Sequence, residues 1–474
     1  MKVLLVNPKL KTWSPDIHPP LGLAYIAAAL EDARHIVRIL DMNSRKVSDN
    51  ELQDQVRRFD VVGITGLVTE YNEVLRLIGI IKEHSDAVVI IGGPLATTHT
   101  KKVMESSLAD YAVIGEGEKT VVELVDAIRD KSGVYKVKGI AYRNHDIHIN
   151  PMREPIVDLD AIPYPARHLL DMSRYSTHHF KSFGLKLPCN VKSTTMVTSR
   201  GCPYLCSYCF KDVWGQKWRG RSPENIITEM ELLNRDYGFN GFVFNDDTFV
   251  VDRKRAIDFC KILFFDSSLR GRIKWYCNGR VNLMDVDLLG VMAQSGCVGI
   301  AYGIESGNQE ILDSIKKQIT LEEIERVVAE TKAVGIHITG YFMLGIIGDS
   351  KETIQQTIDF ARKLDLDYYG FTMCSPIVGT PMHKAAMEQG LVPYQELSDW
   401  SLHSSVNLTV DCTREDLERF NEVAFREFTI EKRYGKNYLS NPKLWLDGFR
   451  SVAFLTGKRD YKELISKSWS VIKK

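Results

Sequence analysis

Three cysteines stand within eight residues of one another in Thr198-Ser-Arg-Gly-Cys202-Pro-Tyr-Leu-Cys206-Ser-Tyr-Cys209-Phe. Thr194–Ser199, just before them, is rich in β-branched residues and predicts a strand. Three thiolates on one loop can hold three irons of a cubane, leaving the fourth iron without a protein ligand. Such an open iron can chelate a small molecule. Structural zinc would ask for a fourth ligand nearby and for paired C-x₂₋₄-C motifs, and no second pair exists. The other six of the nine cysteines (Cys189, Cys260, Cys277, Cys297, Cys374, Cys412) are scattered, as small buried hydrophobes are. Without a secretory signal they do not suggest a disulfide framework.

The thiols need a frame, and the pattern around them supplies one. Strands are predicted near Thr194–Ser199, Gly241–Asn245, Lys274–Asn278, Val298–Ile304, His337–Leu344 and Tyr369–Cys374, with helical patterns between. Six βα units predict an open, partial (β/α)6 barrel rather than a closed eight-unit one. Residues 1–130 alternate in the same way. Strands at Lys2–Val6, Ile36–Leu40, Asp60–Thr65, Ala87–Ile91 and Tyr111–Ile114 are followed by helices at Gly22–Glu31, Asn50–Arg58, Asn72–His84 and near Thr100–Ser107 and Thr120–Arg129. That order predicts a Rossmann-like parallel sheet, with ligands beyond the carboxyl ends of its strands. The loops there read Asn7-Pro8, Thr65-Gly66, Gly92-Gly93-Pro94 and Gly115-Glu116-Gly117-Glu118. A dinucleotide site is excluded because the first strand runs into Asn7-Pro8-Lys9-Leu10 instead of G-x-G-x-x-G. A P-loop is excluded by the glycine spacing and by two glutamates that would repel phosphate.

The chain therefore reads as α/β, divided into a Rossmann-like domain (1–150), a linker (151–190), a partial barrel (191–385) and a C-terminal helical region (386–474). The first domain ends in a hairpin, Val137–Tyr142 and Ile147–Asn150, and the Pro-rich linker (Pro151, Pro155, Pro163, Pro165) suits extended chain. The last region carries helices at Arg414–Tyr434 and Asp460–Ile472. Its aromatics (Tyr394, Trp400, Tyr434, Tyr438, Trp445, Trp469) suit either packing of that appendage or a lid. Lys+Arg and Asp+Glu balance at 61 each, which gives no electrostatic case for a nucleic-acid partner. With no signal peptide and no eighteen-residue apolar run, no transmembrane segment is expected and the chain reads as cytoplasmic.

C-x₃-C-x₂-C directly after the first barrel strand, with Tyr208 before the third cysteine, resembles the signature of the radical S-adenosylmethionine (SAM) superfamily. The resemblance implies a [4Fe–4S] cluster on Cys202, Cys206 and Cys209, whose open iron binds the amino and carboxylate groups of SAM. One electron then cleaves SAM to methionine and a 5′-deoxyadenosyl radical that abstracts hydrogen from substrate. An external donor such as flavodoxin or ferredoxin would supply the electron. Further SAM contacts are implied at Tyr208, at Asp246 and Asp247 after the second barrel strand, and at Asn278 and Arg280 after the third. Glu305 and Ser306 in Gly303-Ile-Glu-Ser-Gly307 would meet ribose, and Gly345 in Phe342-Met-Leu-Gly345 would lie beside adenine.

Residues 1–150 resemble the B12-binding domain of the cobalamin-type radical SAM subfamily, on Pro19-Pro20-Leu21-Gly22, Asp60-Val-Val-Gly-Ile-Thr65, Gly92-Gly93-Pro94 and Gly115-Glu-Gly-Glu118. The resemblance implies cobalamin contacts at Thr65, Gly92, Gly93, Gly115 and Gly117. One departure stands out. The corrinoid D-x-H-x-x-G motif is replaced by Asp41-Met-Asn-Ser-Arg. The cobalt's lower face would then meet Met42 and Thr65–Leu67 instead of an imidazole, or the domain serves only as a platform. The reaction is cobalamin-dependent methyl transfer to a small molecule or lipid, or a cobalamin-free radical dehydration, rearrangement or oxidative cyclisation.

Overall fold

Short hydrophobic strands bracketed by amphipathic helices build two parallel sheets in the computed structural model, which describes residues 1–10, 17–185, 187–188, 190–392 and 407–432. The first series is β1 (Lys2–Asn7), α1 (Leu21–Asp32), β2 (Ile36–Asp41), α2 (Asp49–Val56), β3 (Val61–Thr65), α3 (Tyr71–His84) and β4 (Val88–Gly92). It continues with α4 (Gly93–Thr98), α5 (Thr100–Ser106), β5 (Tyr111–Val113), α6 (Glu118–Arg129), β6 (Ile140–Asn144) and β7 (Asp146–Ile149). The sheet order is β2-β1-β3-β4-β5-β6-β7. The expected hairpin is not separate. β6 pairs antiparallel with β5 and extends the sheet by two strands. Alternate strand residues point to opposite faces. Leu4, Val6, Ile64 and Ile91 pack against α2–α5, whereas Val3, Leu5, Ile90 and Val113 pack against α1 and α6.

The second series opens with β8 (Ser193–Met196), then a two-stranded ribbon of β9 (Ser199–Arg200) and β10 (Arg219–Gly220). Next come α7 (Pro223–Tyr237), β11 (Gly241–Phe244), α8 (Arg253–Phe265), β12 (Lys274–Gly279), α9 (Val286–Gln294) and β13 (Cys297–Glu305). α10 (Gln309–Ser314), α11 (Leu321–Ala333), β14 (His337–Leu344), α12 (Lys351–Lys363), β15 (Tyr368–Met373), α13 (Pro381–Glu388) and α14 (Arg414–Ala424) complete it. The order β15-β14-β13-β12-β11-β8 is parallel throughout and open at both edges. All six helices α7–α12 begin on a side-chain cap: Ser222, Asp252, Asp285, Asn308, Thr320 and Ser350. Each cap satisfies an amide that has no intrahelical partner. This fixes where the strand-to-helix loops turn, and those loops carry the chemistry.

The five scattered cysteines within the described residues are free and buried. Cys189, the Asp460–Ile472 helix and the six tail aromatics lie outside the described residues. The linker is not simply extended. It forms short 3₁₀ turns at Arg167–Leu169, Met172–Arg174 and His179–Phe183, and Phe180 packs beneath the barrel with Tyr276 and Ala301. Arg167 is buried and pairs with Glu229 of α7 at 2.5 Å, and Arg221 binds the same carboxylate.

Two domains meet through charge. The β9–β10 ribbon closes the base of the cysteine loop, and Gly201 permits that closure. At its φ of +80° a Cβ would lie 2.6 Å from the Lys217 carbonyl. Both ribbon arginines reach the loop after β5. Arg200 meets Glu118 at 2.5 Å, and Arg219 meets Glu116 at 2.6 Å, all four side chains being buried. Glu116 also accepts from the Ile156 amide at 2.8 Å. Breaking a buried pair by removing one partner costs about 3–5 kcal/mol. Glu118→Ala should therefore destabilise the protein by about that much in urea titration, against at most about 0.5 kcal/mol for the exposed control Lys254→Ala. Equal effects would contradict the clamp.

Candidate functional site

The cysteine loop sits at the carboxyl end of the second sheet, with Cys206 buried and Cys202 and Cys209 half-buried. Two cations face it. Arg280 Nη1 lies 3.7 Å from Cys206 Sγ, and its guanidinium stacks 3.7 Å from the centroid of the Tyr204 ring. Its Nε and Nη2 are buried and have no hydrogen-bond partner in the protein. Nor has the buried Nζ of Lys211. Burial, and then Asp247, push the Cys209 thiol up to about 11, with Lys211 pulling the other way. Buried donors left over on Arg280 and Lys211 beside the cysteine loop suit a ligand set that loses its protons to metal and becomes anionic. Among the described residues no three His, Cys, Asp or Glu converge on the position of one metal ion.

The strand-end residues divide into two groups. Asp246 is fully buried and belongs to the scaffold. Its carboxylate accepts from the Thr198 amide at 2.6 Å and the Ser199 hydroxyl at 2.7 Å, and also from the Thr198 hydroxyl. Asn278 donates to the Asp246 carbonyl at 2.9 Å. The expectation that Asp246 meets SAM is thus corrected: it ties β11 to the end of β8, and Asp247 is the carboxylate exposed at the mouth. Ser306 is likewise engaged, 3.1 Å from the Thr357 hydroxyl and accepting from the Asn308 amide. Gly345, at a φ of +79°, has Leu417 of α14 3.2 Å from where a Cβ would lie. Its amide donates to Asp349 at 3.1 Å. That side of the glycine is covered by the C-terminal helix instead of facing open space.

Glu305 holds a junction that includes a residue not foreseen from sequence. Its Oε1 accepts from the Tyr208 hydroxyl and from Lys317 Nζ, each at 2.8 Å, and Lys317 also reaches the Tyr208 oxygen at 3.0 Å. Glu305 has a φ of +69°, and Lys317 is flanked by Lys316 and Gln318 at +55° and +54°. Left-handed non-glycine residues cost free energy and persist where surroundings fix them. Here they aim the side chain. A spacing rule would not find Lys317, and the run Lys316-Lys317 between Ile315 and Ile319, in the connection from α10 to α11, is the trace it leaves in the sequence.

A cavity of about 260 Å³ opens at the carboxyl edge of the first sheet, and Thr65, Gly92, Gly93, Gly115 and Gly117, the five residues expected there, are among its lining. Gly93 has a φ of +82°, and a Cβ on it would strike the Thr65 hydroxyl at 2.5 Å. The wall opposite belongs to the barrel: Arg200 before the cysteines, and Val213 and Trp214 after them. Arg200 lies 5.4 Å from the Tyr25 ring centroid and 5.9 Å from that of Trp214. α1 and α6 begin at this cavity without side-chain caps; the Leu21 amide of α1 donates to the Pro19 carbonyl at 2.8 Å, and the amides that follow it are left to amide or phosphate oxygens. Met42 is not at the edge. It packs in the core with Val6 and Leu40, which corrects its expected place under a corrin.

The sequence matches the B12 binding domain family over residues 12–125 and the Radical SAM superfamily over residues 196–361. It is 32% identical over 448 residues to an uncharacterized methyltransferase of Pyrococcus horikoshii, covering 91% of this chain and 93% of that protein. The chain belongs to the B12-binding radical SAM family. It is accordingly a radical SAM enzyme whose cofactors are a [4Fe–4S] cluster, SAM and cobalamin. The cytidylyl-2-hydroxyethylphosphonate methyltransferase of Streptomyces wedmorensis is 29% identical, with 83% of each chain covered. The fold matches that of the radical SAM methyltransferase TsrM of Kitasatospora setae, with a TM-score of 0.68 at 22% identity, covering 82% of this chain and 75% of that one. Among the described residues no helix is long and apolar enough to cross a membrane.

The Glu305–Lys317 junction should be visible thermodynamically. Lys317→Met and Glu305→Gln should each destabilise the protein, and the double variant by less than their sum, with a coupling of about 1 kcal/mol or more. Strict additivity in denaturant titrations would dissolve the junction.

Proposed function

We propose that this enzyme cleaves SAM at a [4Fe–4S] cluster held by Cys202, Cys206 and Cys209 and transfers a methyl group, by way of cobalamin held at the edge of the first sheet, to a small-molecule substrate. The observation that carries this reading is continuity. The loop bearing the cysteines is flanked on both sides by residues lining the cavity, Arg200 before it and Val213 and Trp214 after it. Only Gly201 separates Arg200 from Cys202, a reach of at most about 7 Å. When bound, the cluster supplies the electron that cleaves SAM, and cobalamin supplies the methyl group.

The chain's own residues hold and orient these groups. Arg280, whose Nε and Nη2 find no partner in the protein, would hold the SAM carboxylate by charge-assisted hydrogen bonds. Asp247 accepts from the SAM amine at the barrel mouth. Lys211 balances negative charge beside Cys209, and Lys317 and Tyr208 fix the carboxylate of Glu305 facing the cysteine loop. Gly92, Gly93, Gly115 and Gly117 let backbone approach the corrin closely, and the cavity between the sheet and α1 receives its nucleotide tail. The electron comes from an external carrier such as a flavodoxin or ferredoxin. Relatives named as methyltransferases, at 32% and 29% identity, support the methyl-transfer outcome, ahead of the anaerobic magnesium-protoporphyrin IX monomethyl ester cyclase of Rubrivivax gelatinosus at 28%.

Two variants separate the cofactors. Replacing Cys202, Cys206 and Cys209 together by Ala should abolish cluster absorbance and SAM cleavage while corrinoid binding persists. Gly92 has an extended backbone, and a Cβ there would find nothing within 4 Å. Gly92→Trp should therefore fold, fill the mouth and weaken cobalamin binding by at least about tenfold, leaving the cluster intact. A triple variant that still cleaves SAM would refute the cluster assignment, and full cobalamin retention by Gly92→Trp would refute the cavity.

A further inference from the structure

The strap that leads into α1 is held to the barrel side by a clasp and a pair of stacked imidazoles. The Ile17 amide donates to the Ser176 hydroxyl, and the Ser176 amide donates to the Ile17 carbonyl, both at 2.9 Å. Beside this clasp the ring of His18 lies over that of His179, with centroids 4.6 Å apart and planes at 29°. His18 is exposed to solvent, whereas His179 is buried. The His179 amide donates to the Ser193 hydroxyl at 2.9 Å, which ties it to the first residue of β8. Its Nδ1 lies 3.1 Å from the Ser193 carbonyl and from that hydroxyl, and the hydroxyl itself donates to the Thr177 carbonyl at 3.2 Å. A carbonyl can only accept, so Nδ1 carries the proton. Nε2 is then a bare lone pair, buried and without a hydrogen-bond partner. A second proton would have to sit there, out of reach of any acceptor and beneath another imidazole, and an unpartnered buried charge is costly. Once the strap lifts, Nε2 meets water and takes the proton readily.

We infer that the two imidazoles are an acid-sensitive latch on the strap Ile17–Pro20, and that protonation of His179 lifts the strap and opens the rim of the cavity. Leu21 and Gly22, which follow the strap directly, line that cavity. Burial, and then His18, pull His179 down to about 4, with the Ser193 carbonyl opposing and His178 adding to the pull. Those two histidines are the titratable groups that face it among the described residues, and Ser193 on the barrel side is neutral. The sign follows from linkage. A histidine held neutral by the fold stabilises the closed form above the ordinary imidazole value of about 6.5. That contribution is lost as pH falls from there toward about 4. One proton linked in this way should raise the open population about tenfold from about pH 7.5 to about pH 5.5. The latch acts on the rim whatever the cavity holds, so it goes beyond the cobalamin reading above.

The test is hydrogen exchange followed by mass spectrometry on the full-length protein with its cluster in place. Peptides carrying Ile17–Leu23 and Ser176–Phe180 are compared at the two pH values after correction for intrinsic exchange. Both should open about tenfold more at the lower pH. His179→Gln keeps a donor toward Ser193 and cannot take a charge, so it should remove the dependence. His18→Ala, a change at an exposed residue, lets water reach the ring at either pH and should shrink it. Equal protection at the two pH values overturns the inference. So does a dependence that survives in His179→Gln or, if that variant does not fold, in His18→Ala. Release of cobalamin from loaded protein should quicken as the strap opens, and release indifferent to pH while the strap opens overturns the gating of the cavity. Failure of cobalamin to bind at either pH overturns the function proposed above, and the exchange measurement still decides the latch.

Discussion

Everything distinctive about this molecule depends on four buried charges. Arg200 and Arg219 project from the ribbon that closes the cysteine loop, and Glu116 and Glu118 project from the loop that ends the fifth strand of the other domain. Charges taken out of water are tolerable only when paired and well hydrogen-bonded. The two domains therefore cannot slide or separate without exposing the pairs to water or leaving them unmatched. An apolar patch of Leu21, Tyr25 and Val197, with Ile162 and Trp214 packed against it, shares this seam. The charge pairs fix its register and bring the edge of one parallel sheet against the loop on the edge of the other. Arg200 does three things at once: it binds Glu118, it lies against Tyr25 and Trp214, and it begins the segment that leads to Cys202.

With the frame fixed, the buried polar groups around the thiols fall into those already satisfied and those still unsatisfied. Asp246, Asn278 and Ser306 are satisfied by neighbours in the same sheet and helices. They build the strand ends. Arg280 Nε and Nη2 and Lys211 Nζ find no hydrogen-bond partner in the protein. Buried donors without a partner are expensive, so their persistence beside three thiols suits an anionic occupant. The same reasoning separates the two ends of the cavity. Its mouth is made of glycine and helix starts, which leave backbone amides available, and its floor is made of side chains with nothing to donate or accept.

Much of this was legible in the sequence. Periodicity placed eleven parallel strands close to their observed limits because each is a short apolar run closed by glycine, proline or a capping residue. The cysteine motif, Glu305 and the glycine loops announce themselves by residue type and spacing. What remained hidden depends on pairs distant along the chain. Arg200 and Glu118 are 82 positions apart, and Tyr208 and Lys317 are 109 apart, and nothing local marks either as a partner. Asp246 misled for a related reason. An acidic pair after a strand looks like a ligand, and only the position of Thr198 shows which of the two carboxylates turns inward. The hairpin at β6 and β7 was visible, but its union with β5 required knowing which edge of the sheet was free.

The central claim is that the clamp sets cobalamin and cluster side by side, and their spins can report it. Protein loaded anaerobically with both cofactors would be examined by electron paramagnetic resonance, with cobalt in its Co(II) state and the cluster first oxidised, then reduced. Adjacency predicts that reducing the cluster broadens the cobalt signal and shortens its relaxation time. A cobalt signal identical in the two cluster states would place the cofactors far apart and contradict the arrangement.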